Sequence, residues 1–123
     1  MAVPDETIDA RDAGWVTRVR DLVSQHAPIE LIIGNPVSLR GRADIASDSV
    51  RARAELLAQA LPGLPLRLVD ERLTTAGALR QLQEAGKTNR QARRHVDAQA
   101  AVGILEYALE YERRTGQPAG ESL

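Results

Sequence analysis

The sequence predicts one α/β domain built on parallel strands. Two observations carry that prediction. Stretches with helical periodicity alternate with short apolar runs, in the order helix, strand, helix, strand, helix, helix, which is the order of parallel strands joined by helical crossovers. The first apolar run, Ile29-Glu30-Leu31-Ile32-Ile33, stops at Gly34, as a buried parallel strand does. A length of 123 residues suits one domain and leaves no room for two. Hydrophobic residues make up 43% of the chain but include no Phe and only Trp15, Tyr107 and Tyr111 as aromatics. The core is therefore expected to be Leu, Val, Ile and Ala.

The elements follow in order. Residues 12–26 read as an amphipathic helix, with Asp12 as its cap and Trp15, Val16, Val19, Leu22, Val23 and His26 at three-to-four spacing. Pro28 ends it. After the strand at 29–33, Gly34-Asn35-Pro36 begins a loop that runs to about Arg42. A second helix follows, capped by Asp44 or Ser47, with Ala46, Val50, Ala54, Leu57, Ala58 and Leu61 on one face. Pro62-Gly63-Leu64-Pro65 breaks it, and Leu66-Arg67-Leu68-Val69 is the second strand. Arg67 between two Leu points to a sheet edge for that strand. Thr74 or Thr75 caps a third helix through Ala78, Leu79 and Leu82, which ends near Gly86. The last helix carries Val96, Ala100, Ile104, Tyr107 and Tyr111. Residues 1–114 are expected to form the domain and 115–123 a flexible tail.

Two strands are too few to support about four helices, since sheets usually have four to six. The first strand wants a neighbour on each side, and this sequence supplies one. Either a partner chain completes the sheet or the domain is incomplete.

Composition excludes several chemistries. There is no Cys, which removes disulfide scaffolds, Cys-based zinc sites and thiol catalysis. His26 and His95 are too far apart in sequence to suggest a His-rich metal site. Sixteen basic residues nearly balance seventeen acidic ones, so any affinity for nucleic acid must come from a local patch. No apolar stretch approaches the roughly 18 residues of a membrane span, and the acidic start Met-Ala-Val-Pro-Asp-Glu is not a secretory signal. A soluble cytoplasmic chain is the expectation.

Ligands of open parallel sheets bind beyond the carboxyl ends of the strands. Gly34-Asn35-Pro36-Val37-Ser38 and Asp70-Glu71-Arg72-Leu73-Thr74-Thr75 lie there. Consecutive strand residues face opposite ways, so only one of Asp70 and Glu71 can serve a given site. The same segment also reads as a solvated turn with a Thr helix cap. Asp97 shares a helical face with Ala101, Ile104 and Ala108, and an acid on an apolar face needs a partner, a capping role or a metal. It also reads as a first-turn acid favoured by the helix dipole. Together, Glu71 and Asp97 could supply two oxygen ligands to Mg²⁺ or Mn²⁺ for phosphodiester hydrolysis. A further carboxylate is normally wanted, and none stands convincingly after a strand. The basic stretch Lys87, Arg90, Arg93, Arg94 and His95 reads either as a phosphate-backbone contact or as a solvated connector.

Three segments occur in a telling order: Ile32-Ile33-Gly34-Asn35-Pro36, Asp70-Glu71-Arg72-Leu73-Thr74-Thr75, and Asp97-Ala98-Gln99-Ala100-Ala101-Val102-Gly103-Ile104-Leu105. Together they resemble the YqgF family, also called RuvX, from about Ala2 to about Tyr111. The resemblance implies an RNase H-like fold. It implies hydrolysis of nucleic-acid phosphodiesters with Mg²⁺ or Mn²⁺, with Glu71 and Asp97 as catalytic and metal-binding acids. Asn35, Arg72, Thr74, Arg90, Arg93 and Arg94 are the candidate substrate contacts. Asn35 stands where the family commonly has an apolar residue.

The family begins with a strand bearing Asp-x-Gly and two antiparallel strands. This sequence starts near the junction that follows them, so the resemblance implies an N-terminally incomplete domain with two parallel strands and about four helices. The edge of strand 29–33 is then expected to pair with another chain, including a second copy. The substrate expected is precursor 16S rRNA in ribosome biogenesis. The alternatives are a Holliday junction resolvase acting on branched DNA, and a non-catalytic nucleic-acid-binding module or truncation.

Overall fold

The protein is described by a computed structural model, which covers residues 2–36, 45–74 and 90–123. Its elements are α1 (Trp15–His26), β1 (Leu31–Asn35), α2 (Ile45–Ala60), β2 (Leu66–Asp70), a 3₁₀ turn (Glu71–Leu73), α3 (Arg90–Thr115) and β3 (Glu121–Ser122). The α/β class is as expected.

β1 and β2 pair in parallel, with Leu31 opposite Leu66 and Asn35 opposite Asp70. α2 lies between them in sequence and makes the crossover. Alternation along each strand divides the core into two layers. Leu31, Ile33 and Leu66 pack with Leu57 of α2, with Leu61 just past its end and with Trp15, Val16, Val19 and Val23 of α1. Ile32 and Val69 point the other way, onto Ala100, Ile104 and Ala108 of α3. The small residues of α3 let the helix lie close to the sheet. Val69 is wholly buried, so the middle of β2 is the centre of the fold.

Several expectations are corrected. The sheet has three strands among the described residues, in the order β1-β2-β3. β3 runs antiparallel on β2, pairing Arg67 with Ser122 and Leu68 with Glu121. It belongs to the stretch expected as a tail. The physical reason is local: Ala119 is small enough to enter the core beside Val69, and Gly120 takes a left-handed φ of 78° that steers the chain alongside β2. β2 is consequently not an edge strand. The Arg67 side chain is accommodated because Nε donates to the Ala119 carbonyl at 2.6 Å and an Nη donates to the Gly120 carbonyl at 2.7 Å.

α1 starts at Trp15, and Gly14 stands at its N-cap without a side-chain bond. Asp12 contributes its backbone carbonyl, which accepts the Trp15 N–H at 3.2 Å. His26 is exposed, with Nε2 3.5 Å from Asp5. α2 already includes Ile45, so Ser47 lies inside it; Asp44 falls outside the described residues. The helix expected from Thr74 or Thr75 through Leu82 also lies outside them. α3 starts at Arg90, because Arg-Gln-Ala-Arg-Arg are strong helix formers and extend the helix upstream. Asp97 is therefore two turns inside α3, neither its cap nor in its first turn.

The C-cap of α1 yields a prediction. Ala27 adopts φ 47°, ψ 56°, and its N–H donates to the Val23 carbonyl at 2.8 Å. An L-residue with a Cβ is strained there, by about 1–2 kcal/mol. Ala27→Gly is expected to raise unfolding stability by about 1 kcal/mol in urea denaturation; an equal or lower midpoint would show that the strain is absent.

Candidate active site

The candidate site is built where β1 and β2 end. Asp70 closes β2, and its carboxylate turns back to accept the Arg72 backbone N–H at 2.9 Å. The same carboxylate takes the Arg72 guanidinium, with Nη at 2.6 Å. That ion pair and the backbone bond hold the Asp70 carboxyl below its ordinary pKa. On the other side of the turn, the Thr74 N–H and hydroxyl both donate to the Glu71 carbonyl, at 3.1 and 2.9 Å. The 3₁₀ turn is thus pinned at both ends, and the residue it presents inward is Glu71.

Glu71 is only 3% exposed. Its carboxylate lies over Gly34 of β1: a Cβ built on Gly34 would sit 2.8 Å from Glu71 Oε1 and would overlap Ile104 Cδ1 of α3. No buried side-chain nitrogen or oxygen among the described residues lacks a hydrogen-bond partner, so the burial of this acid is compensated as physical chemistry requires. Glu71 lines a groove of about 390 Å³ whose walls are β1 and α3. Asp97 lines the same groove, with Ala101, Ile104 and Leu105 following it along α3. A second depression of about 310 Å³ lies between residues 2–7 and the same stretch of α3. Asp97 borders both.

The two acids proposed from sequence are therefore brought to one groove, one buried and one exposed. Their hard oxygen donors suit Mg²⁺ or Mn²⁺. Among the described residues no group of three His, Cys, Asp or Glu is placed to hold a metal ion, so the pair fits part of such a site. Glu30 also lines the groove. The sequence reading passed over it, although Glu30 stands at even spacing before Ile32 in the expected strand and so shares its face there.

The remaining candidates are placed unevenly. Asn35 is 8% exposed at the end of β1, opposite Asp70. Arg72 is occupied with Asp70, and Thr74 closes the turn beneath Glu71. Arg90 and Arg93 stand at the start of α3; their side chains fall outside the described residues. Arg94, a turn before Asp97, is exposed.

Comparison with known proteins decides the family. The model of the family described as "RuvX: Holliday junction resolvase" matches residues 1–111. The chain belongs to the RuvX family. Similar members come from Streptomyces coelicolor, Streptomyces avermitilis and Cutibacterium acnes, each named "Putative pre-16S rRNA nuclease". The Streptomyces coelicolor protein is 41% identical over 124 residues, covering 100% of this chain and 74% of that protein. The Streptomyces avermitilis protein is 40% identical, covering 100% of this chain and 80% of its own length. The Cutibacterium acnes protein is 42% identical over 113 residues, covering 92% of this chain and 70% of its own.

Two outcomes test the geometry. Gly34→Ala is expected to destabilise the fold by about 1–3 kcal/mol, because Ile104 and Glu71 both have to move. An unchanged denaturation midpoint would show that the groove is looser than described. The Asp70–Arg72 pair predicts a pH effect. A carboxyl whose folded-state pKa is lowered stabilises the fold above its unfolded value, and that contribution disappears as pH falls through the folded value. The stability difference between the natural chain and Asp70→Asn is therefore expected to be flat from pH 7 to about 5 and to shrink below about 4. A difference that does not shrink at all as pH falls below about 4 would rule out the carboxylate as its source.

Proposed function

We propose that this RuvX-family chain is a divalent-metal-dependent endonuclease that processes precursor 16S rRNA, with Glu71 and Asp97 as its catalytic acids. The observation that carries the reading is the convergence of a buried carboxylate from a strand end and an exposed carboxylate from a helix on one groove. Family membership and the names of the relatives agree with it. An RNase H-like arrangement also agrees with it: two parallel strands presenting an acid beyond their carboxyl ends, with α3 laid across one face.

Glu71 and Asp97 would hold Mg²⁺ or Mn²⁺. When bound, such an ion activates the attacking water and neutralises charge on the phosphate. The chain's own part is positioning. The pinned turn fixes the Glu71 carboxylate, and Gly34 leaves room for it. Burial removes water that would otherwise screen it. Asp97 is oriented by a long helix seated on the sheet, and its exposed carboxylate leaves the groove open toward a backbone. Arg90, Arg93 and Arg94 stand one to two turns before Asp97 in α3, and the first turn contains no acid. That arrangement favours a polyanion approaching the N-terminal end of α3.

Asn35, Arg72 and Thr74 are proposed to shape the substrate side of the turn. A cytoplasmic location follows from an rRNA substrate, and no helix among the described residues is long and apolar enough to cross a membrane. β1 has no strand on its outer side among the described residues. Pairing of a second copy along that edge is the assembly proposed. The single domain is likewise part of this reading, and it takes in residues 115–123 through Ala119 and β3.

The experiment is cleavage of a 16S precursor RNA carrying its leader, with Mg²⁺ or Mn²⁺ added and with EDTA. Glu71→Gln and Asp97→Asn are each expected to lower the rate by at least about a hundredfold while leaving the fold cooperative. Retained cleavage in either variant would refute its catalytic role. Preferential cleavage of four-way DNA junctions over leader RNA would instead favour the activity in the family description.

A further inference from the structure

The family model ends at residue 111, yet a well-tied segment of this chain lies beyond it. Residues 116–123 leave α3, turn at Gly116, and lie along the outer edge of β2. The Leu123 N–H donates to the Leu66 carbonyl at 3.0 Å. Arg67 reaches out from β2 to the carbonyls of Ala119 and Gly120. Arg51 of α2 binds the Glu121 carboxylate bidentately, both bonds at 3.0 Å, which lowers the Glu121 pKa. Ala119 is 3% exposed and packs in the same cluster as Val69, Ala100, Ile104 and Ala108. A Cβ on Gly120 would overlap the Leu68 carbonyl oxygen, so the backbones are in direct contact there.

This segment therefore touches all three layers: α2 through Arg51, the sheet through Arg67 and Leu66, and α3 through Ala119. The α3 members of the cluster that Ala119 joins are Ala100, Ile104 and Ala108, which begin three residues after Asp97. Ile104 is the shared member, since its Cδ1 also lies over Gly34 beside Glu71.

We propose that residues 116–123 form a strap that sets the seat of α3 on β2, with Ala119, Gly120 and Glu121 as positioning residues for Asp97 relative to Glu71. The proposal rests on the reading of these two acids as catalytic. The strap acts through the buried cluster that Ala119 shares with Ala100 and Ile104. A long helix gripped over only a few turns passes small displacements of its seat to the residues just upstream. Displacements of about 1 Å at reacting groups cost on the order of a hundredfold in rate.

The chain has no Cys, so two can be introduced cleanly for spin labels. Labels at Arg53→Cys on α2 and Gln99→Cys on α3, both exposed sites, report the distance between the two helix layers. This background is combined with Gly120→Val, with Glu121→Arg, and with the swap of Arg51→Glu plus Glu121→Arg. Gly120→Val and Glu121→Arg are expected to broaden or shift the distance distribution. They are also expected to lower kcat on precursor RNA by tenfold or more, with KM unchanged. The charge swap restores both toward the values of the unswapped chain. An unchanged distribution in Gly120→Val would overturn the proposal, as would a broadened one with unchanged kcat. If the labelled chain with its strap intact cleaves no RNA, the nuclease reading fails, and the distance measurement still decides whether the strap seats α3.

Discussion

A missing Cβ at Gly34 is the constraint on which the rest of the site depends. Ile104 of α3 and the carboxylate of Glu71 converge on the space a side chain would fill. A helix can therefore lie close against β1, and an acid can be buried at the same point without being displaced by that helix. Gly costs conformational entropy in a strand, of order 0.5–1 kcal/mol. Here that cost is offset by packing that no larger residue permits. The glycine also joins two functions that are usually separable, since the contact that packs the core is the contact that places a charged group.

Glu71 reaches its buried position because the turn that carries it is fixed by its own local sequence. Asp70 and Thr74 act from either side of the 3₁₀ turn, one through its carboxylate and the other through its N–H and hydroxyl. The Arg72 guanidinium saturates Asp70, so the acid just before Glu71 is neutralised by its own neighbour. Two adjacent acids thus take unequal parts: one organises the turn, and the other is delivered into the groove. This is the division that strand alternation anticipates, realised through hydrogen bonds within five residues of chain.

The layers meet at β2. Its inward residues feed both cores, with Leu66 toward α1 and α2 and Val69 toward α3. Its two edges are taken by β1 and β3. The side chains that tie β3 down come from two different layers, and small residues are what admit it: Ala119 in the core and Gly120 against the Leu68 backbone. The same use of small residues recurs in α3, where Ala100 and Ala108 bring the helix down onto Val69. The fold contains few aromatic residues, and closeness of approach replaces the area that large side chains would bury.

How much of this was legible in the sequence differs from element to element. The parallel pair and the crossover helix could be read because they rest on local periodicity, and Glu71 and Asp97 stood out as candidates through motif order. Glu30 could have been found from strand alternation alone. The extra turns of α3 before Asp97 could have been found from helix propensity. The strap was not legible: Arg67 between two leucines looks like an edge residue, and nothing in Gln-Pro-Ala-Gly-Glu-Ser announces a strand. Its structure depends on carbonyls held out to an arginine 52 residues away in sequence and on a carboxylate meeting Arg51 of another layer. Such contacts are decided by the assembled fold, because their partners are distant in the chain and become neighbours only when the sheet and helices are in place. The sequence by itself determined the class of fold and which acids were candidates. Only the tertiary structure decided that Glu71 is buried, that Asp97 shares its groove, and that the chain's end closes over β2.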